Sequence, residues 1–179
     1  MLHRTRHLFI RQQTAVIISI RAHLAEFGIG GRVGCGGVKE LLEIADDTND
    51  SRLPELARQC ARALGHQLQQ LRLQILALDR QIIAWHRANE TSRRLDELPG
   101  VGPALVTALV ASVPDATVFG SGRDFSAWTG LVPKQSSRGG KERLGNITKQ
   151  GDRYLRSLFT TGALAVSQFV KTRVAQHRP

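Results

Sequence analysis

A chain of 179 residues that is 41% hydrophobic but only 5% aromatic has room for one or two small domains with cores of Leu, Val, Ile and Ala. Its 25 Lys and Arg against 15 Asp and Glu leave a formal charge of +10, which favours a polyanionic partner, because each phosphate neutralised releases condensed counterions; the plainer reading is a basic soluble protein with no such partner. Cys35 and Cys60 are far apart and sit in no metal-spaced pair, which suits a reducing cytosol and argues against a disulfide scaffold.

The charged start, Met1-Leu-His-Arg-Thr-Arg-His7, lacks the apolar run of a signal peptide. The longest strongly apolar stretch, Ala104 to Val113, is too short to span a bilayer. The expected location is the cytoplasm, at the nucleoid, with no membrane partner. The charge is uneven. From Gly120 to Pro179 there are eleven Lys or Arg and three Asp or Glu, so a polyanion contact belongs mainly to the last third.

In chain order, Leu8, Ile17, Ile20 and Leu24 place a helix over about 2–27. Six glycines between Gly28 and Gly37 predict a loop. A short helix follows over 38–45, then a polar turn over 46–51. The longest element runs over about 53–90. Within it Leu64, Leu68, Leu71, Ile75, Leu78, Ile82 and Trp85 alternate at four and three residues, a heptad seam that only Gly65 interrupts. That stripe must be covered by the first helix, by a second copy of the chain, or by both. A change of texture near residue 91 divides the chain into a helical region over 1–90 and a second domain over 91–179. There the pattern predicts helices over 91–97, 103–113, 123–129 and 151–173, with a polar, glycine-rich, basic stretch over 131–146 that has room for two short strands. Leu155, Leu158, Phe159, Ala163, Val166 and Val170 share one side of the last helix.

Leu98-Pro-Gly-Val-Gly-Pro103 between two short helices has the pattern of a helix-hairpin-helix. Gly100 and Gly102 tolerate positive φ and let a phosphate approach the backbone N–H groups. Pro103 suits the first helical turn, and the helix N-terminus then faces the anion. Leu98 and Val101 are expected to pin the turn to the core. Such contacts grip the DNA backbone and not its sequence. The alternative is a corner that only packs.

From Pro133 to Arg156 the chain gathers Lys134, Arg138, Lys141, Arg143, Lys149, Arg153 and Arg156, four glycines, and the hydroxyls of Ser136 and Ser137. A hydroxyl among fixed cations is what phosphoryl transfer asks of a nucleophile, since the cations stabilise the charge that builds on phosphorus. A serine needs a base or a metal to take its proton; Glu142 and Asp152 are the nearby carboxylates, and both also suit salt bridges. The other reading is a phosphate-binding loop whose serines only donate hydrogen bonds.

Three ordered runs, Leu98-Pro-Gly-Val-Gly-Pro-Ala-Leu-Val-Thr-Ala-Leu109, Gly122-Arg-Asp-Phe-Ser-Ala-Trp-Thr-Gly-Leu-Val-Pro133 and Gly139-Gly-Lys-Glu-Arg-Leu-Gly-Asn-Ile-Thr-Lys-Gln-Gly-Asp-Arg-Tyr-Leu-Arg156, resemble the C-terminal domain of insertion sequence one-ten family transposases. Ile10-Arg-Gln-Gln-Thr14 through Leu24-Ala-Glu-Phe-Gly28 and the long helix resemble that family's central coiled coil. The resemblance implies DNA transposition through a serine–DNA link, a structured bridge RNA that selects sites, and subunits joined by the coiled coil. It also implies a composite active site in which the serine of one subunit meets an acidic RuvC-like domain of another.

Two departures from the family pattern matter. The chain starts at what resembles the final helix of the acidic domain, so no cofactor is expected within these residues and the divalent metal is expected in that domain. Arg138 stands where the family has a small hydroxyl residue before Gly139-Gly140, so the matching nucleophile is Ser137, with Ser136 second. The expected architecture is all-α: a long antiparallel hairpin or coiled coil, then a helix-hairpin-helix domain with an irregular basic loop. The expected DNA contacts are Gly100, Gly102, Lys134, Arg138, Lys141, Arg143, Lys149, Arg153 and Arg156.

Overall fold

The computed structural model describes residues 1–136, 138, 141 and 143–176, with the side chains of Cys35 and of 173–176 left aside. Among these are seven α-helices and one two-stranded sheet, so the protein is mainly α. It divides into two compact units, Met1–Gln81 and Ile82–Pro179.

The first unit is built on three helices, α1 (Leu2–Glu26), α2 (Cys35–Asp46) and most of α3 (Glu55–Ala88). Val16, Ile20 and Leu24 recur every four residues on α1 and are buried, as are Val38, Leu41 and Ala45 of α2 and Ala61, Leu68 and Leu71 of α3. Covering each large aliphatic side chain contributes about 1.5–3 kcal/mol. Helices α1 and α3 run antiparallel. Arg6, early in α1, pairs with Asp79 of α3. At the opposite end Ile20, Leu24 and Phe27 face Leu53, Ala57, Ala61 and Leu64 across an apolar cavity of about 300 Å³.

The expected hairpin is therefore present, but α2 adds a third layer that the heptad reading does not contain. Helix α2 also starts earlier than expected, at Cys35, taking Gly36 and Gly37 into its first turn. Gly37 is there because a side chain would strike the carbonyl of Arg32. Gly65, the one gap in the seam, is where Leu42 of α2 closes on α3: a Cβ at Gly65 would lie 2.9 Å from Leu42 Cδ2.

The turn between α2 and α3 is organised by one buried cation. Arg58 is 3% exposed. Its guanidinium donates to the carbonyls of Ala45 (3.0 Å), Asp50 (3.0 Å), Leu53 (3.2 Å) and Asp47, which closes the end of α2 and the loop beyond it. On the same loop the Arg52 guanidinium donates to Asp50 and holds that carboxyl at about 2, below the usual carboxylate range.

The second unit holds the last two turns of α3, α4 (Glu90–Asp96), α5 (Pro103–Ser112), α6 (Gly122–Thr129), β1 (Pro133–Gln135), β2 (Leu144–Ile147) and α7 (Arg153–Gln176). A single 3₁₀ turn, Ala116–Val118, precedes α6. Its core joins Leu105 and Ala108 of α5 to Leu155 of α7, with Val101, Leu109, Leu158 and Phe159 packed around them. Asn89 breaks α3 from α4 by accepting from the Ser92 amide at 2.8 Å. The fully buried Ser92 hydroxyl then meets His86 Nδ1 at 2.7 Å. Of the heptad seam, Ile82 is buried here and Trp85 is 40% exposed, so the seam does not run covered to its end. The expected face of α7 is also covered in part: Leu155 is buried and Leu158, Phe159 and Val166 half-buried, whereas Ala163 and Val170 are exposed. No helix among the described residues is long and apolar enough to cross a membrane.

Replacing Arg58 with Ala leaves four carbonyls without their shared donor. Unfolding by urea is expected to show a loss of about 3 kcal/mol. A loss below about 0.5 kcal/mol, the scatter of neutral surface substitutions, would mean that the loop is held by something else.

Candidate nucleic-acid interface

Helices α4 and α5 are joined by the tight turn Leu98–Gly102, closed by Leu98 N–H to Leu95 O at 3.2 Å and Val101 N–H to Leu98 O at 3.0 Å. Gly102 caps α5 and accepts from the amides of Leu105 (2.9 Å) and Val106 (3.0 Å), with Pro103 in the first turn and no side-chain cap. The two glycines differ. Gly100 has φ +82, while Gly102 is extended at φ −89, so the expectation of positive φ holds for the first alone. A Cβ on Gly100 would lie 2.9 Å from the carbonyl oxygen of Gly162, and a Cβ on Gly162 would collide with the carbonyl of Gly100. The turn thus lies with its backbone directly on α7. Nothing lies within 4 Å of a Cβ on Gly102, which faces open space. Val101 packs on the core as expected, but Leu98 is 52% exposed and does not pin the turn.

The basic stretch forms an antiparallel ribbon. Pro133 pairs with Ile147 and Gln135 with Leu144. Between those pairs β1 has one residue, Lys134, and β2 has two, Gly145 and Asn146, which is a bulge that bends and twists the ribbon. Beyond β1 the ribbon continues through the Ser136 amide, which donates to Arg143 O at 2.9 Å, and a bridge between Arg138 and Lys141. Both faces of the strands are exposed, so no apolar pattern marks them. Lys134, Ser136, Arg138, Lys141 and Arg143 are brought together on this ribbon, all exposed. Ser137, together with Glu142, lies outside the described residues.

The base of the ribbon is a junction of three segments. The Thr148 amide donates to Val132 O (2.9 Å) and the Lys149 amide to Gly130 O (3.1 Å). Gly130, at φ +74, ends α6, and a side chain there would strike the carbonyl of Gln150. A side chain on Gly151 would strike the carbonyl of Trp128. Arg156 reaches back from α7 to donate to Thr129 O and Gln150 O, both at 3.1 Å. Arg156 is therefore half-buried and committed to backbone, while Lys149 and Arg153 are exposed. Asp152 caps α7 by accepting from the amides of Tyr154 (2.8 Å) and Leu155 (2.9 Å). Lys149 is the one non-glycine residue with positive φ among those described, at +58, and the neighbouring Thr148 hydroxyl is buried without a hydrogen-bond partner among them. Strain and an orphaned polar group in adjacent residues mark this junction as more than a connector.

Sequence patterning leaves out an aromatic cluster beside the junction. Phe119, Phe125 and Trp128 stand with ring centroids 5.3 to 6.0 Å apart, and Phe125 meets Phe159 of α7 at 5.8 Å. The signal available was the spacing of Phe125 and Trp128, three apart on one helix. Among the described residues no group of three or more His, Cys, Asp or Glu is arranged to hold a metal ion.

With Ala in place of Gly162, the turn and α7 must separate. Thermal unfolding is expected to show a loss of about 1–3 kcal/mol, the cost typical of overpacking. An unchanged melting temperature would show that the two backbones do not depend on this contact.

The match to known proteins follows the same residues. Residues 92–178 match the model of the transposase IS116/IS110/IS902 family. The chain is 43% identical over 178 residues to the transposase-named protein y4pF/y4sB of Sinorhizobium fredii, covering 99% of this chain and 45% of that protein. It is 43% identical over 166 residues to a Pseudomonas aeruginosa protein named as a family 20 transposase, and 33% identical over 167 residues to the transposase for insertion sequence element IS1328 of Yersinia enterocolitica. The chain spans about half the length of the curated relatives it matches. The turn, the ribbon and the junction at the head of α7 all fall inside the segment that is similar to the IS116/IS110/IS902 transposase family.

Proposed function

We propose that this chain is the DNA-handling part of a transposase, in which the ribbon 133–147 grips the phosphate backbone around a nucleophilic serine. The observation that carries the reading is the ribbon itself: Lys134, Arg138, Lys141 and Arg143 are held exposed on one short hairpin that also carries Ser136 and whose tip includes Ser137 in sequence. Two-stranded ribbons are a known way of entering a DNA groove. Lys149 and Arg153 extend the cationic surface to the head of α7, and the open N-terminus of α5 at Gly102 offers a second backbone anchor. Gly100 acts there through the shape of the turn, and Arg156 by holding the junction together.

In the chemical step the serine oxygen bonds to phosphorus as the bond from phosphorus to the deoxyribose oxygen breaks. The serine proton leaves to a base and the departing oxygen takes up a proton. Ser137 is the proposed nucleophile and Ser136 the alternate. The divalent metal belongs to an acidic domain outside these residues and a structured guide RNA is a further partner, both on the strength of the family resemblance. Self-association through α3 is supported by Leu73 and Leu76, 54% and 52% exposed on the side of the helix away from the seam. A second reading, a module that binds nucleic acid without catalysis, is favoured by Arg138 at the position where the family pattern has a hydroxyl.

Binding to a duplex is expected to weaken steeply with salt. Replacing Lys134, Arg138, Lys141 and Arg143 together by Ala should reduce the slope of log K against log salt by about 3–4, since each phosphate contact contributes about 0.9. A slope unchanged by the four substitutions removes the ribbon from the interface.

The two readings separate by trapping. In the presence of the acidic domain, a covalent protein–DNA adduct that survives denaturation is expected, kept in Ser136→Ala and lost in Ser137→Ala. With the present residues alone no adduct is expected. An adduct that persists in Ser137→Ala assigns the chemistry elsewhere; none under any condition leaves the binding module.

A further inference from the structure

The aromatic cluster next to the junction is used by none of the steps above. Trp128 lies in the last turn of α6, and the residue is 39% exposed although it is large and apolar. Phe125 stacks on it at 29° and 6.0 Å, and Phe119 supports it at 59° and 5.5 Å. Two buttressing rings hold the indole in one orientation and leave the rest of it to solvent. In a merely structural cluster the indole would be the ring to bury, because it has the most apolar area to remove from water.

Two cationic residues lie near it along the backbone, and the Asp124 carboxylate one turn before it accepts from the Ser121 hydroxyl at 2.9 Å. The Trp128 carbonyl lies against Gly151, two residues before the exposed Arg153 and two after the exposed Lys149. The one carboxylate in that stretch, Asp152, is occupied by the two amides it caps. Lys149 is kept in a left-handed backbone conformation that its side chain disfavours, so its position is set by the surrounding structure and not by its own preference.

A partly exposed aromatic ring on a helix whose end lies against a cation-bearing segment suits unpaired nucleotides: the ring stacks on a base and the cations take the flanking phosphates. We propose that Trp128 is a stacking platform for an unpaired base of single-stranded DNA, with Lys149 and Arg153 on the adjoining phosphates. Strand exchange exposes such bases where the duplex opens, so the site deepens the DNA-handling reading and rests on it. Duplex DNA, whose bases are stacked on one another, has no free face to offer the ring.

The test uses the full chain with Trp85→Phe, which leaves Trp128 as its one indole, since the sequence has two tryptophans. Oligo-dT of about 16 nucleotides, a duplex of equal length and oligo-rU are titrated at low salt, with binding read by anisotropy and stacking by indole fluorescence. Oligo-dT is expected to quench Trp128, while the duplex binds without quenching. Trp128→Ala is expected to weaken oligo-dT binding by about 5- to 150-fold and Trp128→Phe to restore most of it, with duplex affinity unchanged in both.

Oligo-dT that binds while Trp128 stays bright overturns the platform but leaves the DNA-handling reading standing, as does equal weakening of single strand and duplex in Trp128→Ala. Quenching by oligo-rU but not by oligo-dT overturns the assignment to DNA. If no oligonucleotide binds, this inference falls together with the reading beneath it. The fluorescence arm leaves Trp128 in place, so the outcome does not depend on how well Trp128→Ala folds.

Discussion

In Ile82–Pro179 the backbone lies on backbone in two places, and most of what that unit offers a ligand is set by them. Gly100 meets Gly162, and the pair Gly130 and Gly151 meets Gln150 and Trp128. Neither contact leaves space for a side chain. Because α7 supplies Gly162 to the first and reaches the second through the Arg156 guanidinium, the α4–α5 turn and the base of the basic ribbon are referred to a single helix, with Arg156 and Gly162 separated along it by about 9 Å of rise. The Arg156 guanidinium completes the second contact by donating to two carbonyls that the close approach would otherwise leave crowded and unpaired.

The first unit reaches order by a different route. Its helices meet through side chains, and the problem to be solved is the end of α2 and the loop that follows. Arg58 solves it by bonding four carbonyls at once from a buried position. Breaking such an arrangement is costly because the orphaned groups are already out of reach of water. One unit thus depends on residues with no side chain, the other on one of the longest side chains available.

How much of this the sequence discloses depends on the physics behind each feature. Helix periodicity is a pattern of burial, so α1, α3 and α5 are legible to within a few residues, and the Leu64–Leu71 part of the seam is where the core lies. Helix α2 is legible over 38–45, but its first turn and its place as a third layer are not, since a run of six glycines reads as loop until one sees that Gly37 tucks under Arg32. The ribbon is legible only as room for two short strands over 131–146, because its residues are nearly all exposed and alternation has little to record. Leu98 and Arg156 carry the opposite lesson: an apolar residue at a turn stays exposed and a cation in a basic run is spent on backbone. The cations of 134–153 are legible by type. What the sequence does not disclose is that Lys149 sits in a left-handed conformation, or that the backbone of Trp128 lies against Gly151 two residues on.

The meeting of Gly100 and Gly162 has a consequence for entropy. Two residues without rotamers lose nothing at the side chain when they come together, so the turn is seated without the ordering cost that a leucine or lysine contact carries. A ligand that bound at Gly102 would meet a backbone already ordered by folding, and its binding would not be taxed for arranging it. The long cationic side chains of the ribbon are in the reverse position: each still has its rotamers to surrender. One corner of the unit is preorganised and the other must be ordered on contact, a division of labour written in which residues have side chains at all.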